Sequence, residues 1–400
     1  MKIMPETACK IKILANGVLF TDEALNYALK QNAKIQNLVY NKPAGTENSR
    51  PQELRIQCVD GYETVVSCVV TRHRSPIVID IIDNKLVALE EHKIIKDINI
   101  SFVEEPDYYK KRLSNGELVK KYVSSCGLDE LNIFPWKGCA ISKDCLFCGV
   151  NTVAKKENED DSFTAFKIGK EGVWKNCKRS YLEKLEEAIS IAKNDKCFEE
   201  HLHLILISGN LANNELDIQS EIYAEIAERI YPIISNKATE GIVSVMMPPN
   251  NFKLISKLKK SYVEKIVFNL EVGNEPYFSK YCPGKNDLGL EHINKALIEA
   301  VNVFGKGNVW SNFVFGLEPL DLIIKVCEDL ALKGIVPSAN VLHIDSGNRL
   351  DGEVPSEDDI AIFFSSVADI YRKYGLKPYY CSKALRTSLT NEAYEERIIL

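Results

Sequence analysis

Between Asn132 and Asn151 the chain reads NIFPWKGCAISKDCLFCGVN, with Cys139, Cys145 and Cys148 in a C-x5-C-x2-C spacing. Three thiols so close on one loop after a short apolar run point to a shared metal centre rather than to core packing. An iron–sulfur cluster takes thiolate ligands and ordinarily wants four. Three leave one iron open to a ligand that is not protein. The alternative for the same loop is a structural zinc site, with Cys126, thirteen residues before Cys139, as a candidate fourth ligand. Zinc usually brings two C-x2-C pairs or one such pair with histidines, and neither stands near this loop.

Phe147, inside Cys145-Leu-Phe-Cys148, completes a pattern that resembles the cluster loop of the radical S-adenosylmethionine (radical SAM) superfamily. The resemblance implies that the three cysteines are metal ligands holding a [4Fe–4S] cluster, that the amino and carboxylate groups of SAM chelate the fourth iron, and that Phe147 lies near the adenine. Most members have three residues between the first two cysteines, where this chain has five. The wider spacing is similar to that of a biotin synthase-like branch that includes the HmdB-type enzymes of iron–guanylylpyridinol cofactor assembly. The implied activity is reductive cleavage of SAM to methionine and a 5′-deoxyadenosyl radical, which abstracts hydrogen from a small-molecule or cofactor-precursor substrate. Such an enzyme is a biosynthetic transferase or lyase and needs a reductant such as flavodoxin or ferredoxin. Two rivals remain open: an iron–sulfur electron carrier or scaffold, and a zinc-stabilised binding protein.

The elements that must position such a loop follow from hydrophobic period. From Leu131 strand-like runs alternate with amphipathic helices, the pattern of parallel βα units. The strands read HLHLILIS (201–208), GIVSVMM (241–247), KIVFNLE (265–271), NVWSNFVFG (308–316) and SANVLHI (338–344). Between them lie a helix behind a capping box at Ser180 and Glu183, one carrying Ile218, Ile222, Ile226 and Ile230, then HINKALIEAVNVF (292–304), LDLIIKVCEDLAL (320–332) and a helix opened by Ser356. The expected fold is α/β, a partial (βα)6 TIM-type barrel, with functional residues at the strands' C-terminal ends.

Those ends supply the other candidates. Ser208, Gly209 and Asn210 resemble the motif that receives the methionyl amine of SAM, through free carbonyls. Asn269 and Glu271 share one side of a strand by alternation, suit ribose hydroxyls, and are similar to the ribose-binding pair of biotin synthase-like members. The alternative is a buried pair satisfying each other. Lys285 is read as neutralising a carboxylate of SAM or substrate, and Phe315 with Gly316 as packing on the adenine. Cys282, His343 and Asp345 are the catalytic candidates on the substrate side.

Residues 1–130 lack this alternation. A helix is expected from Thr21, followed by strands at 35–40, 53–59, 63–72, 76–82 and 85–90 with an exposed link at 41–51, giving a small, mostly antiparallel α+β module. It reads as a cover for the barrel, a binding module or a tether. Residues 131–375 form the barrel and 376–400 a C-terminal extension. Of the 400 residues 45% are hydrophobic and 26% charged, as in a globular protein. A net charge of −6 argues against nucleic acid as a general partner, and no apolar run is long enough for a membrane span. Twelve cysteines without regular pairing, behind a start lacking a signal peptide's apolar core, suit the reducing cytoplasm.

Overall fold

The computed structural model describes residues 2–35, 50–69, 76–151, 163–344, 348–350, 353–378 and 385–399. Its centre is a curled half-barrel sheet of seven strands in a mixed α/β fold.

The chain reaches that sheet through an N-terminal region. β1 (Lys2–Ile3), α1 (Pro5–Asn16), β2 (Val18–Phe20) and α2 (Asp22–Lys30) come first, then β3 (Glu53–Cys58), β4 (Glu63–Ser67), β5 (Ile77–Ile82), β6 (Lys85–Glu90), β7 (Lys93–Ile94) and β8 (Ile98–Phe102). They make two small sheets, β2-β5-β6-β7 and β4-β3-β8, antiparallel except for the β2–β5 pair. Thr21 caps α2 as expected, its side chain accepting the Ala24 N–H. The strand expected at 35–40 and the link at 41–51 lie largely outside the described residues.

β9 (Val123–Cys126) and β10 (Glu130–Ile133) form the antiparallel edge of the large sheet. The sheet therefore starts at Val123, ahead of the expected boundary at Leu131. The other five strands, β11 (His203–Ile207), β12 (Ile242–Val245), β13 (Val263–Val267), β14 (Val309–Phe315) and β15 (Val336–Val341), add in parallel and in sequence order. α3 (Val173–Ala192) leads from β10 to β11, α4 (Leu216–Ile234), α5 (Lys253–Lys260), α6 (Leu290–Phe304) and α7 (Leu320–Leu332) run between the five parallel strands, and α8 (Glu357–Tyr374) follows β15. Each helix buries one apolar stripe, for example Leu185, Ala188, Ile189 and Ala192 of α3.

The expected capping box is not a helix start. α3 begins at Val173, because Trp174 packs on Tyr181 at 5.7 Å and its indole N–H donates to Glu225 at 2.8 Å, drawing the upstream turns into the helix. Ser180 lies exposed in its interior. Ser356 does cap α8, accepting the Asp359 N–H.

The last segment, α9 (Thr390–Tyr394) and β16 (Ile398–Ile399), is not a free extension. β16 pairs with β1, Glu392 binds Lys10 at 2.6 Å, and Arg397 binds Glu6 at 2.8 Å. Residues 385–388 lie between the half-barrel and the N-terminal sheets, with Val341 N–H donating to the Thr387 carbonyl and Ser67 N–H to the Arg386 carbonyl. Among the described residues no helix is long and apolar enough to cross a membrane.

Candidate functional site

The cysteine loop follows β10 and is fixed from three directions. Asn151 accepts the Cys139 N–H at 2.7 Å and donates to the Cys139 carbonyl at 2.8 Å and to Asp144 at 2.5 Å, closing the loop on itself. From β11, Gly209 gives its carbonyl to the Trp136 indole at 2.6 Å, and Asn210 gives its carbonyl to the Ala140 N–H at 2.7 Å. From the far end, Arg349 N–H donates to the Leu146 carbonyl and its guanidinium to the Asp144 carbonyl, each at 2.8 Å.

Cys139, Cys145 and Cys148 line one cavity of about 170 Å³ at the C-terminal ends of the strands, together with Phe147, Asn269, Glu271 and Lys285. Burial pushes the Cys139 thiol up to about 11 and Cys148 higher still; the neighbouring Cys282 thiol, then burial, push Cys145 up. The donor set is sulfur only, and the Asn210 N–H points at Cys139 Sγ from 3.3 Å. Three soft donors with a backbone N–H aimed at one of them fit an iron–sulfur cluster, whose potential such bonds tune. Among the described residues no three His, Cys, Asp or Glu side chains stand close enough to share a single metal ion. Cys126 lies on β9 and lines a different cavity.

The strand ends carry most of the other candidates to the same place. Ser208, Gly209 and Asn210 line the cavity, but the carbonyls of Gly209 and Asn210 are engaged by the loop, and the Ser208 hydroxyl bonds Tyr223 at 2.8 Å. A Cβ on Gly209 would overlap the Gly138 carbonyl, so glycine is needed for the loop's close approach. Asn269 and Glu271 share the cavity wall, and they do not satisfy each other. Asn269 Oδ1 accepts the Asn312 N–H at 3.1 Å, and Glu271 accepts from Lys285 Nζ at 2.7 Å. Glu271 adopts φ +65°, a left-handed conformation uncommon for a residue with a Cβ. Lys285 is 5% exposed and also donates to the Asn269 carbonyl at 3.1 Å. Burial opposes its charge, but Glu271, Cys145 and Cys282 outweigh it and hold its pKa above the ordinary lysine value.

Phe315 stacks on Phe363 of α8 at 4.3 Å, on the helix side of the sheet, and alternation gives the cavity side to Val314. A Cβ on Gly316 would meet Pro355, so its bareness serves loop packing. Cys282 is fully buried against Cys145. His343 lines a second, adjoining cavity of about 370 Å³ inside the half-barrel, which shares Phe147, Cys148, Asn269 and Glu271 with the first. Asp345 lies outside the described residues. Sequence reasoning missed Asn151 and Asp144, which with Arg349 hold the loop, and Asn132, Asn312 and Ser338, which line the inner cavity. Only the inner-face alternation of β10, β14 and β15 could have flagged the last three.

Fold and site together define a half-barrel protein with a three-thiol pocket at its strand ends. No family model matches the chain. It is 27% identical over 278 residues to a bacteriochlorophyllide c C-7(1)-hydroxylase of Chlorobaculum limnaeum, a match covering 66% of this chain and 65% of that protein. Among solved structures it is similar to HydG, a maturase of the [FeFe]-hydrogenase, with TM-score 0.38 and 15% identity over 61% of this chain and 48% of that one. It is also similar to a radical SAM methyltransferase from Sphaerobacter thermophilus, with TM-score 0.36 and 13% identity over 91% and 84% of the two chains. The chain thus covers just under two thirds of the hydroxylase and about half of HydG.

Proposed function

We propose that this protein is a radical SAM enzyme. Cys139, Cys145 and Cys148 would hold a [4Fe–4S] cluster, with Asn269, Glu271 and Lys285 beside it for SAM. When bound, these cofactors supply a 5′-deoxyadenosyl radical by one-electron reductive cleavage of SAM. The chain's own residues do the rest. Asn151 and Arg349 fix the loop, and the Glu271 carboxylate, held by Lys285, accepts hydroxyl donors, while the Asn269 amide N–H₂ donates. Phe147, Ile207 and Val245 exclude water from the joint wall of the two cavities. The substrate is a small molecule or cofactor precursor in the inner cavity, the electron comes from a flavodoxin- or ferredoxin-type reductant, and the setting is the cytoplasm. The hydroxylase relative, whose name gives a biosynthetic small molecule as substrate, supports this class.

The observation that carries the reading is the convergence of three thiols and the Asn269–Glu271–Lys285 set on one cavity at the strand ends. The test is anaerobic reconstitution with iron and sulfide, reduction with dithionite, and incubation with SAM. Formation of 5′-deoxyadenosine and methionine is expected, with loss of iron in Cys139→Ala, Cys145→Ala and Cys148→Ala and retention in Cys126→Ser and Cys282→Ser. A colourless protein with stoichiometric zinc, or a reduced cluster that leaves SAM intact, would overturn it.

A further inference from the structure

The inner cavity carries polar groups that neither the loop nor the SAM wall uses. Asn132 on β10 is 4% exposed and Ser338 on β15 is 3% exposed, and both line this cavity. Among the described residues neither side chain has a protein hydrogen-bond partner, and the Asn312 side chain has none either. Asn312 and Ser338 are register partners on adjacent strands, and Asn132 stands on β10, with β11, β12 and β13 between. Part of the wall between them is apolar, formed by Ile205, Ile207 and Val245. The two nearby cations are already paired, Lys285 with Glu271 and Arg386 with Glu53 at 2.7 Å each, so the cavity is not a bare anion site.

Building on the radical SAM reading, we propose that this lumen selects a compact substrate with an amide-type edge, a carbonyl and an N–H side by side as in a lactam, a cyclic urea or a pyridone, and that Asn132 determines the specificity. A carboxamide offers an acceptor and a donor side by side, so its full complement is a donor beside an acceptor. A ligand with only acceptors satisfies half of it. An apolar macrocycle would seal the Asn132 amide away from any partner, which a buried polar group resists. At about 370 Å³ the space lies at the small end of ordinary ligand pockets and matches a single substituted ring, its face on Ile205, Ile207 and Val245 and its edge on the amides.

The test uses the anaerobically purified full chain and five fragments, 2-pyridone, 2-pyrrolidinone and ethyleneurea against cyclopentanone and toluene, followed by saturation-transfer NMR. SAM binding is measured separately by calorimetry. The three amide-edged fragments should bind in preference to the other two, and Asn132→Leu should weaken them about tenfold while leaving SAM affinity unchanged. Equal binding of both groups, binding of neither, or a preference that survives Asn132→Leu overturns the proposal. Should Asn132→Leu fail to fold, Asn312→Leu and Ser338→Ala carry the same expectation, and the wild-type panel decides alone. A chain that discriminates the fragments but does not bind SAM sinks the radical SAM reading and keeps the amide site; one that binds SAM without discriminating does the reverse.

Discussion

Asn151 takes both backbone groups of Cys139, and the same amide reaches Asp144 across the loop. Losing three bonds at a buried position costs about 1–3 kcal/mol for each group left unpaired. Asn151→Ala should therefore lower the iron retained per chain several-fold after reconstitution, with the far-ultraviolet dichroism unchanged. The Lys285–Glu271 pair permits a sharper test, because removing one member of a buried pair costs about 3–5 kcal/mol whereas replacing both is often neutral. Lys285→Met should lower thermal stability and weaken SAM binding. The double variant Lys285→Met/Glu271→Gln should recover stability without recovering SAM affinity, which separates fold from ligand. At this scale the three cysteines were legible because their spacing is local. Asn151 was not, since an asparagine carries no signal until the loop brings it back onto Cys139.

At the scale of the element, the contact of β11 with the cysteine loop depends on the missing side chain of Gly209. A methyl there would press on the Gly138 carbonyl and on Cys139 Cβ, so Gly209→Ala should shift the loop, at roughly 1–3 kcal/mol of stability and with loss of cluster loading. The start of the same strand supplies a pH dependence. His203 is depressed to about 4, chiefly by burial, with His201 and Lys265 adding to it against Glu240. Its unfolded value is near 6.5, so between pH 6.5 and 4 the unfolded chain binds the extra proton and stability falls as pH falls. The loss at pH 5 relative to pH 7.5 should be about 2 kcal/mol, and denaturant titrations at the two pH values should show it shrink in His203→Gln. Long helices and their caps were readable where local pattern and tertiary contact agree, as in α7 and at Ser356. α1 escaped notice because Glu6 and Lys10 are buried on it, neutralised by Arg397 and Glu392 from the opposite end of the chain. β9 escaped because VSSC is too short to show alternation.

A half-barrel leaves two edge strands, and an open edge exposes unpaired backbone and the lumen between them. Here the gap between β9 and β15 is bridged by a buried charge network. Glu53 on β3 meets Lys34 at 2.6 Å and Arg386 at 2.7 Å. Lys34 reaches the Ser125 and Gly127 carbonyls beside β9, and the residue after Arg386 bonds β15 through Val341. The N-terminal sheets thus act as the side wall, which the sequence could not reveal because the partners lie hundreds of residues apart. Burial works against the Glu53 carboxylate, yet Lys34 and Arg386 hold its pKa below the usual range, and Glu130 also acts on Arg386, so Lys34 depends on Glu53 more than Arg386 does. That asymmetry orders the variants. Glu53→Gln removes the carboxylate that pairs buried Lys34, whereas Arg386→Met leaves the Lys34–Glu53 pair intact. Since an uncompensated buried charge costs about 3–5 kcal/mol, Glu53→Gln should lower the melting temperature distinctly more than Arg386→Met and open the 385–388 segment to limited proteolysis. Equal losses, or the reverse order, would mean that apolar packing rather than the shared carboxylate closes the half-barrel.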